Sequence, residues 1–436
     1  MKDTDLRRKS LLWMFMCILS VCMMACCNEA VTQEESIGTE PAYVLDADST
    51  LAALPYYGYD AYVELWDLEE SAEMLLFKAE TEAGYLNYQV DLENAGFSLY
   101  AENDIVGNRY ATWITEELNV TTMYFPALKS VRILAEKAGE LPGLAADNVY
   151  VDSGVENVMV QVGMDHDGIS KIAMCYLFRL CDGSFVIVDS GYKEEACVEA
   201  IYETLMSLAP DPDNIVIASW FITHPHGDHV GGFYTFTETY GDKVTVEQVI
   251  YNYPTIRSFE NDQLSTSHIT KMPAYIAQYG ARRIEAHSGQ KYYIRDAEIE
   301  ILYACDLFSK EYFYDMNSSS LVFTITLGGG RIMILGDCGQ ESSPLICKAY
   351  DDYLKSDVIQ VSHHGLIGAS KTLNELVGAE IVMWPASDFS YMEQNDSYAN
   401  QPLVEASYLY VAADRATLIT LPFDEARVEI WDLYDD

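Results

Sequence analysis

Positions 223–232 read Thr-His-Pro-His-Gly-Asp-His-Val-Gly-Gly, which places His224, His226, Asp228 and His229 within six residues of one another. Three of only eight histidines in 436 residues are concentrated there. The preceding run, residues 214–222, reads as a buried strand, so the cluster opens at a strand end. Two residues apart on extended chain, His224 and His226 aim their rings to one side, and Asp228 with His229 follows a turn later. Gly227 permits the bend, and Gly231-Gly232 let the following helix pack closely. Imidazole with carboxylate suits zinc, with manganese or iron as further candidates, so the segment predicts a metal site between a strand and a helix.

The rest of the composition limits the partners of such a site. Lys and Arg number 26 against 68 Asp and Glu, a formal net charge of -42. A surface of that sign repels phosphate backbones and anionic lipid headgroups, which disfavours long nucleic acid and flat binding to a membrane.

Residues 1–25 read as an export leader. Arg7, Arg8 and Lys9 precede an apolar run over residues 11–25 that is short of the roughly 20 residues a membrane span needs. The run closes Met23-Met24-Ala25-Cys26, which resembles a bacterial lipobox and implies lipidation of Cys26. The expectation is an exported protein anchored by lipid to the outer face of the bacterial cell membrane. Four cysteines belong to this leader region; Cys175, Cys181, Cys197, Cys305, Cys338 and Cys347 show no paired spacing and read as mostly buried free thiols.

Residues 26–50 are acidic and aperiodic, as in a tether. Residues 51–143 predict a small α+β domain of short strands and one helix over 82–95. Residues 144–436 alternate strands with helices, the pattern of a layered α/β domain.

The His-x-His-x-Asp-His run resembles the metallo-β-lactamase fold superfamily, and further pieces follow in order. Residues 185–191 (FVIVDSG) match the strand whose Asp, here Asp189, buttresses the metal loop. Residues 331–337 (RIMILGD) match the strand ending in a bridging Asp, here Asp337, and residues 357–365 (DVIQVSHHG) match the strand ending in the last His ligand. The resemblance implies an αββα sandwich preceded by the small α+β domain. A narrower similarity, through residues 316–322 (MNSSSLV) and the His-His-Gly turn, is to the competence-protein type involved in DNA uptake.

By that resemblance the protein is a hydrolase using one or two divalent metal ions, zinc ahead of manganese. His224, His226 and Asp337 would hold one ion; Asp228, His229, His363 and Asp337 would hold the other. Asp228 and His364 are the expected catalytic groups, His364 as proton donor to the leaving group. The exchange of roles between His363 and His364 stays open. The superfamily's third histidine of the first site is missing, and Asn317, Ser319 and His287 are the candidate substitutes. The expected substrate is a small-molecule or cell-envelope ester, phosphodiester or phosphoester first, and β-lactam or lactone after these. Lys371 and Arg282-Arg283 are candidate phosphate contacts, and Tyr312-Phe313-Tyr314 a candidate aromatic lip. A non-catalytic surface binding lipoprotein with a degenerate site is the alternative; no protein partner can be inferred.

Overall fold

Near-continuous apolar runs build the centre of the molecule, because strands buried on both faces need no polar alternation. Val158–Val162, Cys175–Arg179, Phe185–Asp189 and Ile215–Phe221 are of this kind. The computed structural model describes residues 43–46, 48–57, 62–68, 72–165, 172–256, 263–307 and 315–434. The leader, Cys26, His166 and Tyr312-Phe313-Tyr314 lie outside the described residues. Residues Tyr43–Asp436 form one compact unit.

Among the described residues, the strands form three sheets. The nine-stranded sheet has Phe185–Asp189 and Ile215–Phe221 side by side and parallel, with Gln248–Tyr251 and Arg282–Glu285 continuing in parallel beyond them. In the seven-stranded sheet, Lys291–Ile294, Ala297–Tyr303, Val322–Leu327 and Gly330–Ile334 form an antiparallel meander. Val358–Gln360, Ile381–Trp384 and Tyr408–Val411 then continue it in parallel. Tyr176, Phe178, Phe221, Phe323 and Ile325 fill the space between the two sheets. The outer face of the first sheet is covered by Glu195–Leu208, Gly227–Tyr240 and Gln263–Tyr279 through Ile201, Phe233, Phe236 and Met272. Ser343–Tyr350 and Lys371–Val377 cover the second through Ile346, Leu373 and Val377. The layers are therefore αββα. Burying each such side chain contributes about 1.5–3 kcal/mol.

The six-stranded antiparallel sheet comes from residues 62–137, with Glu82–Asn94 laid on one face through Tyr85, Tyr88 and Leu92. Its Ile105, Tyr110, Met123 and Phe125 join the core of the second sandwich sheet. Polar ties reinforce the joint: the Tyr110 and Tyr350 hydroxyls lie 2.7 Å apart, and Arg132 Nη2 donates to Leu307 O at 2.9 Å.

The helix Gln263–Tyr279 was not expected from the sequence. Pro273 sits inside it and reads as a helix breaker, but burial of Met272 and Ile276 against the sheet outweighs the lost backbone hydrogen bond. All six described cysteines are free. No helix among the described residues is long and apolar enough to cross a membrane.

Candidate metal centre

Four strand ends converge on one place. Ile215–Phe221 runs out through Thr223 into His224, and His226 caps the helix Gly227–Tyr240 in extended conformation. Asp228 lies in that helix's first turn, where the helix dipole favours a carboxylate. Gly232, one turn on, lies so close to Ser190 that a Cβ there would stand 1.9 Å from its carbonyl oxygen. Asp189 ends Phe185–Asp189. Asp337 follows Gly330–Ile334, and His363 and His364 follow Val358–Gln360. Leu321 N donates to Thr223 O at 2.9 Å and ties the two sheets together beside the cluster.

The facing atoms fall into two sets. His224, His226 and Asp337 form one group and Asp228, His229 and His364 the other, each with its ligand atoms within 4.8 Å of one another. His224 Nε2 and His226 Nδ1 are 3.0 Å apart, and His229 Nε2 and His364 Nε2 are 3.2 Å apart. Asp337 stands between the sets. Its Oδ2 is 3.7 Å from His224 Nε2 and 3.6 Å from His364 Nε2, and its Oδ1 is 3.2 Å from His229 Nε2. Donors sharing one tetrahedral ion at about 2.1 Å would stand about 3.4 Å apart, so these spacings fit metal ligation. Asp337 Oδ1 is buried with no hydrogen bond, an orphaned acceptor that a cation would satisfy.

Outer partners turn the rings. Asp189 accepts from Thr223 N and Thr223 Oγ1, both at 2.8 Å, and from His229 Nδ1 at 2.7 Å, which leaves His229 Nε2 facing inward. His364 Nδ1 donates to Pro385 O at 2.7 Å with the same consequence for its Nε2.

The field is shaped by crowding. Burial alone would raise the Asp337 carboxyl, but His229 and His364 hold it well below the usual carboxylate range. Burial would likewise lower His229, yet Asp337 and Asp189 carry it well above the ordinary imidazole value. Burial pushes His224 well down, and His229 beside it acts the same way. Asp228 is lowered because the His364 hydrogen bond offsets its burial. A buried, concentrated set of acids and imidazoles is the environment expected of a metal or catalytic site.

Three expectations need correction. His364, not His363, faces Asp228 and His229; it is fully buried with both ring nitrogens engaged, so it is not placed to protonate a leaving group. His363 is the more exposed ring of the pair, with Nε2 4.0 Å from Asp337 Oδ2. His287 is not near either group: it bonds Asp306 Oδ2 at 2.9 Å and faces Glu136 Oε1 at 3.3 Å, because its loop packs toward the six-stranded sheet. Ser319 Oγ donates to Met316 O at 2.7 Å and serves its own turn, whereas Asn317 Nδ2 lies 3.2 Å from His363 Nε2. His268 reads in the sequence as a surface residue, yet its Nε2 would stand 3.6 Å from a Cβ on Gly227. No spacing signal exposes it, because its unexpected helix brings it there.

Layers and cluster together define a sandwich of the metallo-β-lactamase type. Residues 171–377 match the sequence profile of the Metallo-beta-lactamase superfamily, and that stretch of the chain is a metallo-beta-lactamase superfamily domain. No curated protein matches the chain. Among solved structures it is similar to CmlA, a diiron beta-hydroxylase from Streptomyces venezuelae, at 13% identity and TM-score 0.38 over 61% of this chain and 54% of that one. The chain thus spans about half the length of the hydroxylase. It is also similar to the metallo-beta-lactamase fold protein YhfI from Bacillus subtilis, at 12% identity and TM-score 0.38 over 59% of this chain and 97% of that one. A third similarity is to Zn(2+)-bound PqqB from Methylobacterium extorquens, at 10% identity and TM-score 0.37 over 59% and 98% respectively.

Proposed function

We propose that the chain is a metal-dependent hydrolase that cleaves a small ester, phosphodiester or phosphoester by preference, on the outer face of a bacterial membrane. The observation that carries this reading is the pair of His/Asp groups meeting at Asp337. His224, His226 and Asp337 would hold one divalent ion, and Asp228, His229, His364 and Asp337 a second. Ions bound there supply Lewis acidity and a water that is nucleophilic at neutral pH. Zinc suits the nitrogen-rich donor set first and manganese second.

The chain's own groups divide the remaining work. Asp189 holds His229 in one tautomer and one orientation. Asp228, partly exposed and kept ionised by His364, is the carboxylate that reaches solvent and can accept a proton from an attacking water. Fully buried His224, His229 and His364 close the floor of the site to bulk water.

Substrate size follows from the charges. Arg282 donates to Glu140 Oε2 at 2.8 Å and to Leu141 O at 2.6 Å. Lys371 Nζ donates to Gln401 Oε1 at 3.1 Å and lies 4.8 Å from the centre of the Tyr398 ring. The Arg283 guanidinium lies 5.5 Å from the centre of the Tyr251 ring, so all three basic candidates are engaged within the protein, which supports a small substrate captured by metal over a long polyanion.

The test uses metal-loaded protein on bis-p-nitrophenyl phosphate, single-stranded DNA and a chromogenic cephalosporin. Turnover of the first in excess of the other two is expected and should vanish in Asp337→Asn. Metal-loaded protein inert on all three would favour the second reading, a surface binding lipoprotein, which the absence of the superfamily's usual third histidine favours. For the anchor, Cys26→Ser should abolish incorporation of labelled fatty acid and release the protein from the membrane fraction.

A further inference from the structure

We propose that His363 is the missing third nitrogen ligand of the first metal group, so that the adjacent pair His363-His364 divides between two ions. The inference rests on the metal-dependent reading above and assigns His363 a place that neither the sequence pattern nor the superfamily's ligand order gives it.

The turn that carries the pair is built to send neighbouring rings apart. His363 and His364 both adopt left-handed backbone, with φ of 51° and 54°, and Gly365 follows at 84°. Such residues are strained by about 1–3 kcal/mol each and persist only where the surroundings over-determine them. Here they do. His363 N donates to Gly336 O at 3.2 Å, and Ser362 Oγ donates to Cys338 O at 2.7 Å. Trp384 Nε1 donates to His364 O at 2.8 Å, and Asn400 Nδ2 donates to Gly365 O at 2.7 Å. The Trp384 ring is so close that a Cβ on Gly365 would stand 2.2 Å from it.

In consequence the two ring centres are 6.3 Å apart, with planes inclined by 60°. His364 Nε2 faces Asp228, His229 and Asp337. His363 Nε2 reaches the same Asp337 oxygen, at 4.0 Å, that lies 3.7 Å from His224 Nε2. Its position is beside Asn317, the residue standing in the segment where the superfamily's third histidine is expected.

The ring is also prepared as a ligand. His363 Nδ1 donates to Ile367 O at 3.2 Å, which puts the lone pair on Nε2, the same arrangement that a backbone carbonyl imposes on His364. Asn317 Nδ2 stands 3.2 Å from His363 Nε2, where a bound ion would replace it as the partner of that lone pair, and it donates to Asp315 Oδ2 at 3.3 Å, while Asn317 Oδ1 is buried with no hydrogen bond. Asn317 is thereby a positioning residue, and the nitrogen donor is supplied by the neighbouring turn.

The experiment is a titration of metal-stripped full chain with Co(II) and with Zn(II), read by bound metal per chain and by the Co(II) visible spectrum. His363→Asn is the principal variant because Asn tolerates φ above zero. One ion should bind more than about 100-fold more weakly, beyond the 10–100-fold that loss of an outer partner costs. His363→Gly relieves the backbone and guards against a folding defect; added imidazole should restore its lost site. Asn317→Ala should weaken binding by less than about 100-fold. Affinities in His363→Asn that all stay within about 100-fold of the parent would overturn the assignment, as would loss of the ion in Asn317→Ala in its place. A parent chain that takes up no ion at all would defeat the hydrolase reading itself, a separate and recognisable result.

Discussion

Asp189 shows how much of the centre depends on a residue that faces no substrate. It is fully buried at φ 58° and its carboxylate accepts three hydrogen bonds, one of which fixes His229. Asp189→Asn keeps the size and tolerates the backbone but removes the charge and one acceptor. Metal affinity should fall about 10–100-fold, as for other outer partners, with little change in the far-ultraviolet circular dichroism. A competition titration against a chromophoric chelator measures it. His224, His226 and His229 were legible in the sequence because one strand end and one turn set their spacing, whereas Asp189, on a separate strand, was expected only from the family resemblance. The choice between His363 and His364 was not legible: adjacent residues on extended chain point oppositely, and only the left-handed turn says which way each points.

At the scale of elements, the joint between the last strand of the six-stranded sheet, Ser130–Lys137, and the sandwich contains a buried charged set. Glu136 and Asp306 flank His287, and Ser288 Oγ donates to Asp306 Oδ1 at 2.6 Å. Burial would lower His287, but Glu136 and Asp306 hold it well above the ordinary imidazole value. A raised folded value means the stabilisation is complete below the unfolded pKa of about 6.5 and is lost as pH rises through the folded value. The melting temperature should therefore fall on the alkaline side of neutrality more steeply in the parent than in His287→Gln. His287→Ala, which strands the buried Asp306 carboxylate and leaves the partly buried Glu136 without its partner, should cost about 3–5 kcal/mol in urea unfolding at neutral pH. The same joint explains why His287 read as a candidate ligand. A lone His in a Gly-containing loop gives no sign of its partners, which here are Glu136 and Asp306, 151 and 19 residues away.

For the whole molecule, the two sandwich sheets meet at a point crowded with ionisable groups, and the ions that fit there should also hold the fold together. Stripping metal with a chelator should lower the melting temperature, and restoring an ion at 100 times its dissociation constant should return about 2.7 kcal/mol. Scanning calorimetry with and without added metal checks this, and Asp337→Asn should lose the response. The net charge of -42 acts at this scale too, since it makes positive potential scarce wherever no cation is bound. By itself the sequence determined a layered α/β domain and the cluster of His224, His226, Asp228 and His229, which reside in local periodicity and in spacings a single strand end can enforce. The αββα order and the place of Asp337, 108 residues beyond His229, were expected only from the resemblance to a known family. Tertiary structure alone decided which histidine of the pair faces Asp228 and His229, the exclusion of His287 and the presence of a helix across Pro273. Each depends on contacts between segments far apart in the chain, where packing and buried charge pairing outweigh local preference.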